Sequence, residues 1–212
     1  MRLPLIQPSE NGSASVTPTE PASSLWGAVL RGCYPHQLSW LIDNPLRRLI
    51  ISPATLADRL PLATTSRLLE VGPGSGYFSV ELARRVPQGH LELLDLQPQM
   101  LDKAARKFGK SGPTHVGFTA ADACAELPFE EASFDIVLLA TVLGELPSPE
   151  TALRSFHRLL VPGGTMAVHE HLPDPDFMSF MKLRLLAQAS GFAFRRRFGP
   201  RWNYTALYKR IG

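Results

Sequence analysis

Residues 68–79 read LLEVGPGSGYFS, and this stretch decides the fold. Its first four residues are mostly apolar, which predicts a short buried strand. Three glycines then follow at alternate positions, Gly72, Gly74 and Gly76. Glycine lets the backbone turn tightly and come close to a bound molecule. A strand that leads into a helix through such a loop is the usual nucleotide-binding corner of an α/β sheet, so we expect a ligand here.

The spacing of the glycines separates two cofactor classes. The dinucleotide fingerprint G-x-G-x-x-G, counted from Gly72, requires a glycine where this chain has Tyr77. The pattern is instead Glu70-x-Gly72-x-Gly74-x-Gly76, which resembles motif I of the class I S-adenosylmethionine-dependent methyltransferases. That resemblance implies S-adenosylmethionine as the cofactor. An NAD-dependent oxidoreductase is disfavoured by the third glycine position and by the lack of a recognisable hydride-transfer set.

Bulk composition is that of a globular domain with an appendage, since 44% of the 212 residues are hydrophobic and 19% are charged. The formal charge of +3 indicates only a weak preference for anionic partners. Two isolated cysteines, Cys33 and Cys124, favour a reducing cytoplasm over a disulfide framework or a zinc site. We expect no export signal, and no apolar run reaches the roughly 18 residues of a membrane span.

Three segments are expected along the chain. Residues 1–24 are rich in Pro, Ser, Thr and Glu and predict a disordered tail. Residues 25–64 predict an N-terminal helical cap, with a last helical turn at about 55–60. Residues 65–212 form the S-adenosylmethionine-binding domain, and the resemblance extends over about 65–210. The segments LPFEEASFD and LLVPGG resemble the family's approaches to its fourth and fifth strands.

Strands and helices alternate through this domain. Strands are expected at 68–71, 91–95, 116–122, 134–141 and 165–170, and in FAFRRRF and NYTALYKR near the end. Helices are expected at about 77–86, 98–108, 150–160 and 176–190, the third stopped by Pro162-Gly163-Gly164. The last helix is expected to bury Phe177, Phe180, Met181 and Leu185, and Trp202, Tyr204 and Tyr208 to face the core.

This alternation predicts an α/β fold with a doubly wound, mostly parallel sheet and N-terminal helices. The last two strands are joined by only a few residues, so we expect them to form an antiparallel hairpin. The resemblance implies a seven-stranded, Rossmann-like class I methyltransferase sheet in the order 3-2-1-4-5-7-6, whose last strand is antiparallel to the rest.

The cofactor candidates follow from the resemblance and from the chemistry of adenosine. Asp95, 23 positions beyond Gly72, can accept both ribose hydroxyls, although it could also be a solvated strand-end residue or a helix N-cap. Asp122 and Ala123 offer an acceptor and a backbone donor to adenine, although Asp122 could be an ordinary turn residue. The resemblance assigns the cofactor site to Glu70, Gly72, Gly74, Gly76, Asp95, Leu96, Asp122, Ala123 and Thr141.

Methyl transfer requires positioning more than acid–base chemistry, so no catalytic triad is sought. The candidates for a base or an acceptor contact are Glu145, His169 and His171, with Thr141 and Glu170 beside them. The histidines could equally be a hydrogen-bonded interior residue and a surface residue. Related methyltransferases often carry a His-Glu pair after strand four, where this chain has Gly-Glu. Tyr77, Tyr34, His36 and Trp40 could close the pocket.

Partner expectations are limited. A small organic acceptor is expected first, and an RNA or protein acceptor second. A catalytically silent cofactor-binding or regulatory subunit is a further alternative. No metal site is expected, because alternate histidines on a strand supply only two ligands. The run of Arg195, Arg196 and Arg197 alternates between strand faces, which favours solvated charge over a nucleic-acid surface. The oligomeric state stays open.

Overall fold

The structure, a computed structural model, describes residues 51–109 and 112–212. The proposed tail (1–24) and most of the proposed cap (25–64), with Tyr34, His36 and Trp40, lie outside the described residues. Strands are β1 Arg67–Val71, β2 His90–Asp95, β3 Val116–Ala120, β4 Phe134–Ala140, β5 Leu160–His171, β6 Phe192–Phe198 and β7 Asn203–Arg210. Helices are α1 Pro53–Arg59, α2 Ser79–Arg85, α3 Pro98–Lys107, α4 Pro149–Leu159 and α5 Phe180–Ala189.

All seven strands join one sheet in the order β3-β2-β1-β4-β5-β7-β6. Strands β1 to β5 pair in parallel, and β7 pairs antiparallel with both β5 and β6. The predicted fold class, strand order and final hairpin are therefore confirmed. Because parallel strands share one direction, the ends of β1 to β5 meet at one edge of the sheet, which we call the carboxyl edge.

Helices cover both faces of the sheet. On one face, Leu68 of β1 and Leu138 of β4 pack in a core with residues of α1, α2 and α3. On the other face, Leu69 of β1 and Val137 of β4 pack with α4 and α5. Neighbouring positions of a strand point to opposite faces, so strands buried on both sides must be apolar at nearly every position. This requirement explains the continuous apolar runs in the sequence.

Helix α4 matches the predicted helix at 150–160 to within one residue at each end, but the fifth strand begins earlier than predicted. Helix α4 ends at Leu159, and β5 begins at once with Leu160, which pairs with Phe134. The pairing resumes at Ile136 with Thr165, so the residues between form a bulge in β5. Only the predicted strand start was wrong, because the pairing of Leu160 with the distant Phe134, rather than local turn chemistry, sets the first residue of β5.

Helix α5 also differs from the prediction. It begins at Phe180, where the Ser179 hydroxyl caps it by accepting the Lys182 N–H, rather than at about residue 176. Its buried residues are Leu183 and Ala187. Met181 and Leu185, expected in the core, are 61% and 65% exposed.

Trp202 likewise lies in the turn before β7 and is 54% exposed, whereas Tyr204 and Tyr208 are buried as predicted. The alternation that places the two tyrosines in the core begins only with Asn203, the first residue of β7.

Two leucines of α5 provide a matched test of this orientation. Leu183→Ala should lower the free energy of unfolding by about 2–5 kcal/mol, because it removes a fully buried side chain and leaves a cavity. Leu185→Ala, two positions away on the exposed side, should change it by less than about 0.5 kcal/mol. Urea denaturation of both variants measures the difference. Equal losses would mean that the orientation of α5 is wrong.

Candidate functional site

A cleft of about 170 Å³ opens at the carboxyl edge, where β1, β2 and β4 end. Open α/β sheets bind ligands at this position. The lining residues are Val71, Gly72, Pro73, Gly74, Tyr77, Phe78, Leu94, Asp95, Leu96, Gln97, Met100, Ala121, Asp122, Ala123, Ala140, Thr141, Val142, Glu145, Leu146 and Pro147.

The glycine loop leaves β1 and forms one wall of the cleft. Gly72 and Gly74 have left-handed backbones, with φ of +62° and +55°, which glycine adopts without strain. A Cβ added at Gly72 would lie 2.5 Å from Val142 Cγ2, so no side chain fits there. A Cβ added at Gly74 would meet no atom within 4 Å, because this residue faces open space. Gly74 is therefore the position at which the backbone can approach a ligand.

Two residues of the motif support the loop from outside the cleft. Glu70 is buried, and its Oε2 accepts a hydrogen bond of 2.7 Å from the Ser79 hydroxyl at the start of α2. A Cβ added at Gly76 would lie 2.9 Å from Ala104 Cβ, so this glycine allows α3 to pack closely. Neither Glu70 nor Gly76 is among the residues that line the cleft.

Asp95 at the end of β2 is tied to the glycine loop. Its Oδ2 accepts the Gly74 N–H at 3.3 Å, and its Oδ1 accepts the Gln97 N–H at 2.9 Å. Burial raises the pKa of this carboxyl, and the two backbone hydrogen bonds oppose that rise. Asp95 lines the cleft beside Leu96. The structure thus brings together the loop and the carboxylate that sequence spacing had connected.

Asp122 and Ala123 follow β3 and line the opposite end of the cleft. The Asp122 Oδ1 accepts the Cys124 N–H at 2.8 Å, which is the local turn bond expected of an aspartate there. Asp122 forms this turn bond and also lines the cleft. It can therefore be both a turn residue and a ligand contact.

Thr141 ends β4 in a strained conformation. Its φ is +57°, which is rare for a residue branched at Cβ. The Thr141 N–H donates to the His169 carbonyl at 2.8 Å, and its hydroxyl donates to the Ala140 carbonyl at 2.7 Å. Such strain persists where surrounding contacts fix the backbone, often at functional sites. The sequence had assigned Thr141 to the site and had extended the strand through it.

Several lining residues were not anticipated from the sequence. Val142, Leu146 and Pro147 follow Thr141 after β4, and their position beyond a strand end was the available signal. Phe78 immediately precedes α2, Met100 lies in the first turn of α3, and neither carries a polar group that would have indicated a ligand contact. These residues supply most of the apolar wall.

The charged side chains among the described lining residues are all acidic. Three carboxylates, Asp95, Asp122 and Glu145, are among the lining residues, and the described residues that line it include no Lys, Arg or His. A cleft with this lining favours a cationic ligand over an anionic one.

The two candidate histidines lie outside the cleft. His169 and His171 are buried on one face of β5, with ring centroids 5.7 Å apart. His169 Nδ1 lies 3.2 Å from the Thr205 hydroxyl, and its ring packs edge-on behind the cleft residue Phe78. Of the three candidate bases, the structure places only Glu145 at the cleft.

Gly144, where related methyltransferases often have histidine, contacts the loop that follows β5. A Cβ added at Gly144 would overlap the carbonyl oxygen of Asp176. No histidine fits at this position while the loop keeps its conformation. The residue before Glu145 is therefore determined by packing against a segment about thirty residues further along the chain.

Glu170 holds the loop between β5 and α5 in place through a hydrogen bond. It is buried, and its Oε2 accepts the Met178 N–H at 3.2 Å. The Met178 carbonyl in turn accepts the Tyr204 hydroxyl at 2.6 Å. Burial is the main cause that raises the pKa of Glu170 to about 8, with smaller contributions from the charges of Asp174, Glu145 and Asp176. Burial therefore favours the protonated, neutral form of Glu170.

Within residues 51–109 and 112–212, no group of three or more His, Cys, Asp or Glu is arranged to hold a metal ion. In the same part of the chain, no helix is long and apolar enough to cross a bilayer.

Comparison with known proteins agrees with this geometry. Residues 68–164 match the family model described as a methyltransferase domain. A demethylmenaquinone methyltransferase from Deinococcus radiodurans is 36% identical over 122 residues, which cover 58% of this chain and 50% of that protein. The ubiquinone/menaquinone biosynthesis C-methyltransferase UbiE from Vibrio parahaemolyticus is 35% identical over 106 residues, which cover 49% of this chain and 40% of that protein.

A solved structure, that of a SAM dependent methyltransferase from Aquifex aeolicus, shares the fold. It aligns with a TM-score of 0.77 at 19% identity, and the alignment covers 84% of this chain and 100% of that one. The sheet order and the glycine loop define a class I methyltransferase fold. Residues 68–164 of this chain are thus similar in sequence, and the described residues in fold, to the class I S-adenosylmethionine-dependent methyltransferases, a family whose methyl donor is S-adenosylmethionine. The chain spans half or less of the length of the two curated relatives described above.

The buried carboxyl of Glu170 should make stability depend on pH. The ordinary pKa of 4.5 applies in the unfolded chain, which therefore loses this proton first as pH rises. The free energy of unfolding should fall between about pH 4.5 and 8, by at most about 1.4 kcal/mol per pH unit from this group. Above pH 8 both states are ionised and the contribution becomes constant.

Glu170→Gln cannot ionise, so its free energy of unfolding should fall less steeply across this window. Urea denaturation at several pH values compares the slopes of the variant and the original chain. Glu150→Gln, at an exposed position, serves as the control and should leave the slope unchanged. If the free energy of unfolding falls with pH equally for Glu170→Gln and the original chain, Glu170 has the same pKa in the folded and the unfolded state.

Proposed function

We propose that this protein binds S-adenosylmethionine in the cleft and transfers its methyl group to a small organic acceptor. The observation that carries the proposal is the charge of the cleft, which has three carboxylates and no cation among its described lining residues. S-adenosylmethionine carries a sulfonium and an ammonium group against one carboxylate, so its net charge is positive. The pyrophosphate of a dinucleotide is anionic and would be repelled here.

Each cofactor residue has a proposed role that fits its place. Asp95 accepts the ribose hydroxyls, because its carboxylate lies at the end of β2 and lines the cleft. Asp122 and Ala123 contact adenine, and Leu96 packs against the adenosine. Gly74 allows the backbone to approach the amino-acid end of the cofactor, since its Cα faces open space.

The remaining residues of the motif are proposed to hold the glycine loop in position rather than to contact the cofactor. Glu70 and Gly76 hold it through Ser79 and Ala104, respectively, and Gly72 makes the turn beneath Val142. Thr141 borders the cleft at the end of β4. The proposed cofactor set thus divides into residues that contact the ligand and residues that position the loop.

S-adenosylmethionine, when bound, supplies a methyl group that is electrophilic because it is attached to a positively charged sulfur. The chain then has to hold the acceptor in line and exclude water. Phe78, Leu94, Met100 and Leu146 form an apolar wall suited to both tasks. Glu145 is the proposed proton acceptor for an acceptor that must lose a proton, since it is the carboxylate at the β4 side of the cleft.

The proposed acceptor class is supported by the relatives and by the wall of the cleft. The two curated relatives are named for methylation in quinone biosynthesis, which is small-molecule chemistry. We include a reducing, cytoplasmic setting in the proposal, because the sequence has only two cysteines, Cys33 and Cys124, and they are far apart.

Calorimetric titration with S-adenosylmethionine, S-adenosylhomocysteine and NAD tests the cofactor. The first two should bind and NAD should not. Asp95→Ala should weaken S-adenosylmethionine binding by about 1–3 kcal/mol, through the loss of charged hydrogen bonds. Asp102→Ala, at an exposed position of α3, should leave the dissociation constant unchanged. An unchanged constant for Asp95→Ala would remove Asp95 from the site.

A pair of glycines separates ligand contact from backbone strain. Gly74→Ala and Gly109→Ala both place alanine at a positive φ, and neither new methyl group meets a protein atom within 4 Å. Each should lower the free energy of unfolding by about 1–2 kcal/mol. Only Gly74→Ala should also weaken S-adenosylmethionine binding, by about 1–3 kcal/mol, because its methyl group would occupy ligand space. Equal affinities for the two variants would contradict a ligand at this wall.

Radiolabelled methyl transfer to a panel of small phenols, quinols and amines tests turnover. Transfer to any of them supports an enzyme with a small acceptor. Tight cofactor binding without transfer to small molecules, but with transfer to RNA or protein in the same assay, would move the acceptor to a macromolecule. Binding without any transfer would favour a catalytically silent subunit.

A further inference from the structure

Charge is distributed unevenly along the chain. Residues 177–212 contain eight of the 22 Lys and Arg residues and none of the 19 Asp and Glu residues. The preceding 176 residues therefore hold fourteen cations against all nineteen carboxylates. The basic segment is the part that folds as α5, β6 and β7. A single-signed segment in a chain of nearly balanced charge indicates an anionic partner for this part of the fold.

Six of the eight cations are exposed at the β6 edge of the sheet, and one of them, Arg196, points to the α1 face, where it lies over the Phe198 ring. They lie on α5, on the edge strand β6 and in the turn between β6 and β7, and they are Lys182, Arg184, Arg195, Arg196, Arg197 and Arg201. The ion pairs of the described residues involve other cations, namely Arg67, Arg84, Arg85, His90 and Arg210. The charge of these six is therefore available to a partner.

Exposed apolar side chains lie among these cations. Met181 and Leu185 stand one turn apart on the outer side of α5, with Lys182 and Arg184 between them in sequence. Phe194 of β6 is 38% exposed, and the Arg184 guanidinium lies 5.7 Å from the centre of its ring. Cationic and apolar groups thus alternate across one surface, which we call the α5–β6 surface: Met181, Lys182, Arg184, Leu185, Phe194 and Arg197.

The turn between β6 and β7 extends this surface to the carboxyl edge. Asn203 pairs with His171, and the Leu172 N–H donates to the Trp202 carbonyl at 2.8 Å. Leu172 and Trp202 are both about half exposed. The end of β5 also receives the Thr141 N–H, so the turn and the cleft lie on the same edge of the sheet.

We propose that the α5–β6 surface and the β6–β7 turn dock on an anionic lipid bilayer. The protruding Met181, Leu185 and Trp202 enter the headgroup region, and the exposed cations on the α5 side of the sheet contact lipid phosphates. Charge alone would suit RNA equally well. The apolar ridge on α5 favours lipid, because a polyanion in water would leave Met181 and Leu185 exposed. Arg197 also lies over the Phe180 ring, at 4.9 Å, where a stacked base would otherwise bind.

Sedimentation with lipid vesicles tests this proposal without reference to the cofactor or to methyl transfer. The full chain should bind vesicles that contain phosphatidylglycerol and should not bind vesicles of pure phosphatidylcholine. High salt should weaken the binding, because surface charges are screened. Failure to bind phosphatidylglycerol vesicles at low salt would overturn the proposal, whatever the result of the cofactor titrations.

Two triple arginine variants test whether the basic residues of β6 form the membrane-binding surface. The combined change Arg195→Gln, Arg196→Gln and Arg197→Gln should weaken vesicle binding about tenfold or more, since each basic side chain near an anionic membrane contributes about fivefold. Arg84→Gln, Arg106→Gln and Arg154→Gln together remove the same charge from exposed positions of α2, α3 and α4. This control should bind within about twofold of the original chain. Equal losses would mean that net charge, and not this surface, determines binding.

An apolar variant separates lipid from nucleic acid. Met181→Ser with Leu185→Ser changes no charge and should weaken vesicle binding by about tenfold, because insertion of apolar area is lost. Fluorescence anisotropy with a labelled RNA oligonucleotide runs beside it. RNA binding at lower protein concentrations than vesicle binding, or vesicle binding unaffected by the serine pair, would overturn the lipid proposal.

Discussion

The turn at Gly72 is the constraint on which the site depends. Here the chain leaves β1 between two neighbouring strands, and both neighbours restrict it. The Gly72 N–H extends the pairing with β2 by donating to the Leu94 carbonyl at 2.7 Å. On the other side, Val142 beyond β4 occupies the space that a side chain would need. The next accessible backbone position, Gly74, then faces the cleft and donates to Asp95. The cleft is the space that this sharp turn leaves open.

Sequence reasoning could predict this turn because its signals are local. An apolar strand, alternate glycines and an aspartate at a fixed distance all act within about thirty residues, so the glycine loop and Asp95 could be connected from them, whereas the strand order came from the resemblance to a known family. Helix α5 was different. Apolar residues at 177, 181 and 185 and those at 180, 183 and 187 both satisfy helical spacing. The choice depends on where the helix begins, which Ser179 and the bond from Met178 to Glu170 determine.

The other differences also arise from contacts between distant segments. Thr141 adopts a positive φ although its residue type disfavours it, because its N–H is held by His169 on the neighbouring strand. His169 and His171 alternate on a strand end, as cleft residues would, yet His169 packs against Phe78, and of these two rings only Phe78 lines the cleft. Neither arrangement produces a periodic pattern of residues in the sequence. Only the packing of β5 against β4 and of α2 against the sheet determines them.

The acidic cleft lies at the carboxyl edge of the sheet, and the β6–β7 turn extends the basic α5–β6 surface to the same edge. Glu170 is buried near the end of β5 and accepts a hydrogen bond from the loop that leads into α5. That same loop presses Asp176 against Gly144, the neighbour of Glu145. Close contacts therefore run from the start of α5 through Met178 and Asp176 to Gly144, the residue before Glu145.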